Sequence, residues 1–216
     1  MSVPPANPKI CHITHVNNLP GIVQANGLWS DAKRIELGLG TSLVGMSRIK
    51  QRRLTEIDVS CYPGTKVGQY VPFFYCPRSI MLYILHRGNH DDIDYRDGQQ
   101  PIVHLVADFD ASIQWALSNG VPWALSPINA SARYTSFYNQ RSDLNRIDWQ
   151  AVLSRDFRDP AVKEAKQAEF LMFNWFPWAL VEQIGVFDQT VAQTTQQHIV
   201  GVAHQPPVHV RNAWYF

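Results

Sequence analysis

The chain is poor in charge, cysteine and long apolar runs. Only 17% of its 216 residues are charged, and 19 Lys and Arg against 18 Asp and Glu leave a formal net charge of +1. Without a basic excess, sequence-blind coating of duplex nucleic acid is excluded as the main activity. Low charge together with 12% aromatic content also excludes a disordered or coiled-coil chain. The three cysteines, Cys11, Cys61 and Cys76, form no C-x-x-C pair, which argues against zinc and thioredoxin-like chemistry and fits reduced thiols. No apolar run reaches the roughly 20 residues that a membrane-spanning helix needs, and residues 1–8 carry neither a basic nor an apolar targeting region. A soluble, cytoplasmic protein with no membrane contact is expected. No P-loop, G-x-G-x-x-G fingerprint or G-x-S-x-G elbow is present, so ordinary kinase, dehydrogenase and α/β-hydrolase readings lose their entry points.

What is present is a hydrophobic fraction of 45% and turn residues scattered without a linker or repeat, which predicts one domain over residues 1–216. Strands are expected at Lys9 to Thr14, Val71 to Cys76, Ile102 to Phe109, Glu169 to Phe173, Leu180 to Phe187, Ile199 to Ala203 and Val208 to Tyr215. Helices are expected at Asn18 to Ala25, Ser30 to Gly38, Ser47 to Thr55, Ser79 to His86, Ala111 to Ser118, Asp143 to Ser154 and Asp159 to Ala168. Helices early and strands crowded late argue for an α+β fold rather than a doubly wound parallel sheet.

Two constellations suggest metal or nucleophile chemistry. His86 and His90, at helical i, i+4 spacing and followed by Asp91 and Asp92, resemble a metallophosphoesterase GNHD motif, but no Asp-x-His lies upstream to complete a two-metal site. A helix end broken at Gly88 explains the same residues. Asp108 and Asp110 follow an apolar strand as in haloacid-dehalogenase-like enzymes, yet no Gly-Thr follows; Asp110 reads more simply as the cap of the next helix.

Four stretches carry more. His12 and Thr14 alternate along one strand and therefore share a face, where they can hydrogen-bond a ribose or a base edge. Ile49, Arg52 and Arg53 stand at i, i+3, i+4, so either guanidinium can lie beside a buried anchor and reach a pyrophosphate; a solvated basic face is the plain alternative. Residues 67–85 interleave aromatic and apolar side chains, which suits ring stacking or simply a core. Glu169 begins an apolar strand, a place where a carboxylate is ordinarily just solvated.

In order, HITH, I-x-x-RR, YVPFFYCPRSIMLY, GQQPIVHLV, PWA, ARYTSFYN, KQAEFL and the terminal WYF resemble the DarT family of DNA ADP-ribosyltransferase toxins over residues 9–216. The resemblance implies an ADP-ribosyltransferase fold, a split and twisted β core flanked by helices that holds NAD⁺ as co-substrate without a metal. It implies NAD⁺ binding by His12, Ile13, Thr14, Gly21, Trp29 and Arg53, and catalysis by Arg53 and Glu169, with Arg52 the less favoured arginine. Tyr70 and Phe74 are the two candidates to stack on nicotinamide. The segment from about Ala124 to Glu169 corresponds to the substrate-recognition loop, in which Tyr134, Phe137 and Tyr138 would stack on bases and Arg133 and Arg141 would meet phosphates or base edges; anchoring the loop to the core is the alternative for each ring. The implied setting is a bacterial cytoplasm, with single-stranded DNA as substrate, a macrodomain antitoxin, DarG, as partner and a monomeric enzyme.

The chemistry matches these residue types. Loss of cationic nicotinamide passes through an oxocarbenium-like state that a carboxylate stabilises, and Glu169 can also accept a base N–H proton. Arg53 would hold phosphates or the reacting groups in line. Unpaired bases are favoured because pairing hides the reacting nitrogen. Thymine is the expected target, with guanine, RNA or protein as alternatives and a metal-dependent nuclease on His86 and His90 as the remote one.

Overall fold

A computed structural model describes residues 3–40 and 47–216. The chain runs β1 (Lys9–His15), α1 (Leu19–Gln24), β2 (Gly27–Trp29), α2 (Asp31–Glu36), α3 (Ser47–Thr55), β3 (Tyr70–Phe74), α4 (Ile80–Arg87), β4 (Ile102–Asp108) and α5 (Phe109–Ser118). It continues through β5 (Trp123–Ser126), α6 (Trp149–Leu153), α7 (Pro160–Ala165), β6 (Glu169–Phe173), β7 (Trp175–Pro177), β8 (Val181–Val186), α8 (Gln189–Ile199) and β9 (Val208–Val210). Seven strands form one sheet in the order β5-β6-β3-β1-β4-β8-β9, antiparallel except for β8 and β9, and β2 pairs with β7 apart from it. The mixed, mostly antiparallel sheet flanked by helices is the expected α+β class.

The sheet is split at its centre, and a proline explains where. β1 pairs with β4 along its whole length, Lys9↔Asp108 to His15↔Ile102, but with β3 only at Cys11↔Phe74. In β3, the carbonyl of Pro72 faces β1, because it accepts a hydrogen bond from the His12 ring at 2.8 Å. The amide of the same residue faces the same way, and proline has no N–H to give. The ladder therefore stops, and the two strands part beyond Cys11.

One sheet face packs Ile10, Phe73, Phe170 and Met172 into the main core, with Phe73 and Phe176 rings 4.5 Å apart. The opposite face is covered by α4 and the C-terminal residues on one half and by residues 57–70 and Phe137 on the other. Tyr215 is buried and donates from its hydroxyl to the Ile102 carbonyl at 2.7 Å, while Trp214 lies on Gly185 so closely that a Cβ there would stand 2.3 Å from the indole.

Several sequence expectations change. Ile199 to Ala203 is no strand: Ile199 closes α8, which Asp188 caps through Val191 N–H, and a turn follows. Its Thr- and Gln-rich composition hides a buried i, i+4, i+8 row of Val191, Thr195 and Ile199. The terminal strand stops at Val210 and gives way to a 3₁₀ turn at Asn212–Trp214, while β2, β5 and β7 were not anticipated. Asp143 to Ser154 divides into a 3₁₀ segment, Arg141–Arg146, and α6. The cap of α5 is Asp108, accepting from Ala111 N–H at 2.7 Å, and not Asp110, which pairs with Arg141.

Candidate active site

The parting of β1 and β3 opens a cleft of about 840 Å³, within the range of about 300–1,000 Å³ usual for small-molecule sites. His12, Ile13 and Thr14 form one wall, with Gly21 and Trp29 beside them and Arg53 and Glu169 at the far end. The seven residues to which the resemblance gives NAD⁺ binding or catalysis, His12, Ile13, Thr14, Gly21, Trp29, Arg53 and Glu169, thus line one cavity.

Glu169 opens β6 opposite Phe74 and Ser126, the strand's two neighbours. Far from being solvated, its side chain is 3% exposed, and Arg53 from α3 meets it with two parallel hydrogen bonds, Nη1 to Oε1 at 3.2 Å and Nη2 to Oε2 at 2.9 Å. The Ala130 N–H adds a third, to Oε1 at 3.0 Å. Arg52 instead points outward to Glu56 at 3.2 Å. A single residue step, about 100° around the helix, thus separates a catalytic candidate from an exposed ion pair.

On the opposite wall, His12 donates through Nδ1 to Pro72, so Nε2 is left as an acceptor. Burial holds its pKa down at about 4, which keeps the ring neutral. Thr14 accepts from the Asn18 amide at 3.0 Å. A Cβ at Gly21 would meet nothing within 4 Å, so this position opens onto the free space of the cleft. Trp29 stands 6.0 Å from Trp175 and forms a flat wall. Phe74 lines the cleft, whereas Tyr70 is 1% exposed with its hydroxyl tied to Thr65, which withdraws it from nicotinamide stacking.

Three charged residues escaped the sequence reading. Asp31 Oδ1 accepts from Arg34 Nη1 at 3.3 Å and from Lys50 Nζ at 3.2 Å, and all three line the cleft. The Arg34 Nε is buried and has no partner among the described residues, while burial lowers the pKa of the guanidinium. The signals were the i, i+3 pairs Asp31/Arg34 and Lys50/Arg53, whose meaning depended on α2 and α3 facing one another.

The segment expected to recognise the substrate lies beside Glu169 at residues 129–131, which the Ala130 N–H ties to the carboxylate. Its return is pinned by paired backbone bonds between Leu125 and Tyr138 at 2.8 and 3.0 Å. Arg133 and Tyr134 are exposed, the latter at 72%, with the phenol donating to Glu164. Tyr138 carries the Arg146 guanidinium 4.2 Å above its ring, and Arg141 forms a two-bond pair with Asp110. Phe137 departs from the expectation of a base platform: it is 5% exposed and packs with Val59, Tyr70 and Leu171, so it anchors the loop.

His86 lies in the last turn of α4 and His90 beyond Gly88, whose φ of 60° ends the helix, so the two share no helical face. Among the described residues no group of three or more His, Cys, Asp or Glu is placed to hold a metal ion, and no helix is long and apolar enough to cross a membrane.

A gap between two central strands, with a buried carboxylate and its arginine at one end, defines the class: this is an ADP-ribosyltransferase fold. Residues 11–216 match the family described as ssDNA thymidine ADP-ribosyltransferase, DarT, and the chain belongs to that family. It is 37% identical over 214 residues to a DNA ADP-ribosyl transferase of Thermus aquaticus, covering 98% of this chain and 90% of the relative. The structure of Thermus sp. 2.9 DarT in complex with ADP-ribosylated ssDNA superposes with a TM-score of 0.90 at 32% identity, covering 100% of this chain and 99% of that one. The same protein in complex with NAD⁺ gives a TM-score of 0.83 at 30% identity over 99% and 100% of the two chains.

Proposed function

We propose that this chain transfers ADP-ribose from NAD⁺ to a thymine of single-stranded DNA, with release of nicotinamide, as the toxin of a toxin–antitoxin pair. The observation that carries the reading is the Arg53–Glu169 pair, buried at the end of a cleft that suits a dinucleotide. His12 and Thr14 hydrogen-bond a nucleoside portion, Trp29 stacks, Arg34 and Lys50 take the diphosphate, and Phe74 covers nicotinamide. Arg53 is committed to Glu169, so its part is to orient the carboxylate rather than to hold phosphate.

Thymine in DNA has one ring N–H, N3–H. In the transfer, the bond between the ribose C1 and the nicotinamide nitrogen breaks and that electron pair leaves with neutral nicotinamide. The Glu169 carboxylate stabilises the positive charge on the ribose and takes the N3 proton as N3 bonds to C1. Arg133, Tyr134, Tyr138 and Arg141 hold the strand next to the reacting base. NAD⁺ and transiently unpaired DNA meet in the bacterial cytoplasm, which is the setting proposed, with a macrodomain antitoxin, DarG, reversing the mark and one monomer supplying the whole cleft.

Incubating the protein with NAD⁺ and single-stranded oligonucleotides that each contain one kind of modifiable base, followed by mass spectrometry, tests this. One ADP-ribose on the thymine oligonucleotide is expected. Adducts confined to guanine, RNA or protein would overturn the choice of target.

A further inference from the structure

Beside the Arg53–Glu169 pair stands a polar group with no hydrogen bond. Ser131 is 7% exposed and lines the cleft, yet its hydroxyl has no partner among the described residues. The polar groups next to it on the cleft wall are bonded. The Ser131 N–H donates to Asn129 Oδ1 at 2.7 Å, Asn129 Nδ2 donates to Gln167 Oε1 at 2.8 Å, and the preceding residue, Ala130, donates its N–H to Glu169. Ser126, buried in the same region, donates its hydroxyl to the Ile128 carbonyl at 2.8 Å. A buried hydroxyl left bare costs stability; the Thr135 hydroxyl, four residues on, is bare too but does not line the cleft, whereas the place of Ser131 on the cleft wall points to a ligand that completes it.

The side of the cleft identifies the ligand. The residues proposed to face NAD⁺ come from β1, α1, β2, α2, α3 and β3, whereas Ser131 comes from the segment after β5, two residues before the exposed Arg133 and Tyr134. We propose that Ser131 is a specificity residue for the acceptor, its hydroxyl donating to one of the two carbonyl oxygens that flank N3 of the thymine held at Glu169. The inference rests on the function proposed above and goes beyond it. As N3 gives up its proton, negative charge spreads onto both carbonyls, so a donor fixed at one of them strengthens its bond as transfer proceeds. The hydroxyl acts on the base and leaves NAD⁺ untouched.

The test compares the full-length wild type with Ser131→Ala, using NAD⁺ and oligonucleotides carrying thymine, 2-thiothymine or 4-thiothymine at the modified position. Sulfur is the weaker acceptor, so the thio base at the contacted carbonyl removes the same bond from the other side. Ser131→Ala is expected to lower kcat/KM for the thymine oligonucleotide about tenfold, with NAD⁺ affinity and DNA-independent nicotinamide release unchanged. The melting temperature should equal or exceed that of the wild type, since an unsatisfied hydroxyl is gone. One thio substitution should cost the wild type about tenfold and the variant almost nothing more, as in a double-mutant cycle. Unchanged transfer, a matching loss of nicotinamide release, a lower melting temperature, or fully additive thio effects would each overturn the role of Ser131 alone. A wild type that leaves every oligonucleotide unmodified would overturn the proposed function and this inference together.

Discussion

Arg53 and Glu169, 116 residues apart in the chain, meet through two parallel hydrogen bonds at 2.9 and 3.2 Å with both side chains nearly buried. Removing one partner from such a pair leaves the other charged and uncompensated, at a cost of about 3–5 kcal/mol. Glu169→Ala would therefore mix lost chemistry with lost stability. Glu169→Gln keeps an acceptor for Arg53 and for Ala130 N–H, and it should fold. It is expected to bind NAD⁺ with near wild-type affinity and to lose about 10²- to 10⁴-fold in transfer rate, the usual contribution of a positioned acid–base group. Calorimetric NAD⁺ binding alongside single-turnover transfer checks this, and transfer within a few-fold of wild type would remove Glu169 from the reaction.

The two neighbouring arginines should separate cleanly. Arg52 pairs on the surface with Glu56 at i, i+4, an arrangement worth about 0.3–0.5 kcal/mol. Arg52→Ala should leave both transfer and melting temperature almost unchanged. Arg53→Ala should abolish transfer, and Arg53→Lys should recover little of it, because an ammonium cannot make the two-bond fork. Parallel activity and thermal-shift assays decide the order, and a larger loss from Arg52→Ala would reverse the assignment.

The ordered motifs made the chemistry legible in the sequence. HIT on a strand, the second arginine of RR and the glutamate of KQAEF all lie in local context, and the structure puts all of them on one cleft. The opening of that cleft was not legible, because it depends on which way the Pro72 amide edge faces, and only the neighbouring strand fixes that. Asp31, Arg34 and Lys50 were missed for the same reason: each looks like a surface charge until α2 and α3 are set face to face. Phe137 falls to the anchoring alternative rather than to base stacking, and the two could not be told apart beforehand because aromatic rings on a binding loop and rings anchoring that loop have the same local sequence.

The Asp31–Arg34–Lys50 group should govern dinucleotide affinity. Hydrogen bonds to charged groups contribute about 1.5–3 kcal/mol, so Arg34→Ala is expected to weaken NAD⁺ binding by about 10- to 150-fold. Lys50→Ala should cost less, since an ammonium is a point charge that cannot make the two-bond fork of a guanidinium. Raising salt should weaken wild-type binding more than that of Arg34→Ala. Affinities for NAD⁺ and for nicotinamide riboside separate this from other contacts: equal losses for the two ligands would mean that Arg34 does not hold the diphosphate.

Acid should unfold the protein over a defined window. Burial holds His12 and His104 at about 4, below the value of about 6.5 expected in the unfolded chain. The folded state thus binds fewer protons, so the contribution of each ring is complete above pH 6.5 and is lost as pH falls towards 4, by up to about 3 kcal/mol apiece. Melting temperatures should be level from pH 8 to about 6.5 and then fall. NAD⁺ affinity should stay constant down to about pH 5, because His12 Nε2 remains an acceptor until the ring takes a proton near 4. An affinity that changed with a midpoint near 6.5 would show that His12 titrates as if exposed.

Phe137 and Tyr134, three residues apart on one loop, should fail in opposite ways. Phe137 is 5% exposed in a cluster with Val59, Val67 and Leu171, and truncating a buried phenylalanine costs about 3–5 kcal/mol. Phe137→Ala should lower the melting temperature by many degrees and reduce transfer mainly through loss of folded protein. Tyr134 is 72% exposed, and its one hydrogen bond, to Glu164, is on the surface. Tyr134→Ala should leave melting unchanged while weakening binding of a single-stranded oligonucleotide by about 1–3 kcal/mol, the contribution of one base–aromatic stack. The ring can serve DNA because it contributes so little to the fold, and fluorescence anisotropy with labelled oligonucleotide reads the difference directly. If Tyr134→Ala bound the oligonucleotide as the wild type does, the stacking role would pass to Tyr138, whose ring is already covered by Arg146 on one side.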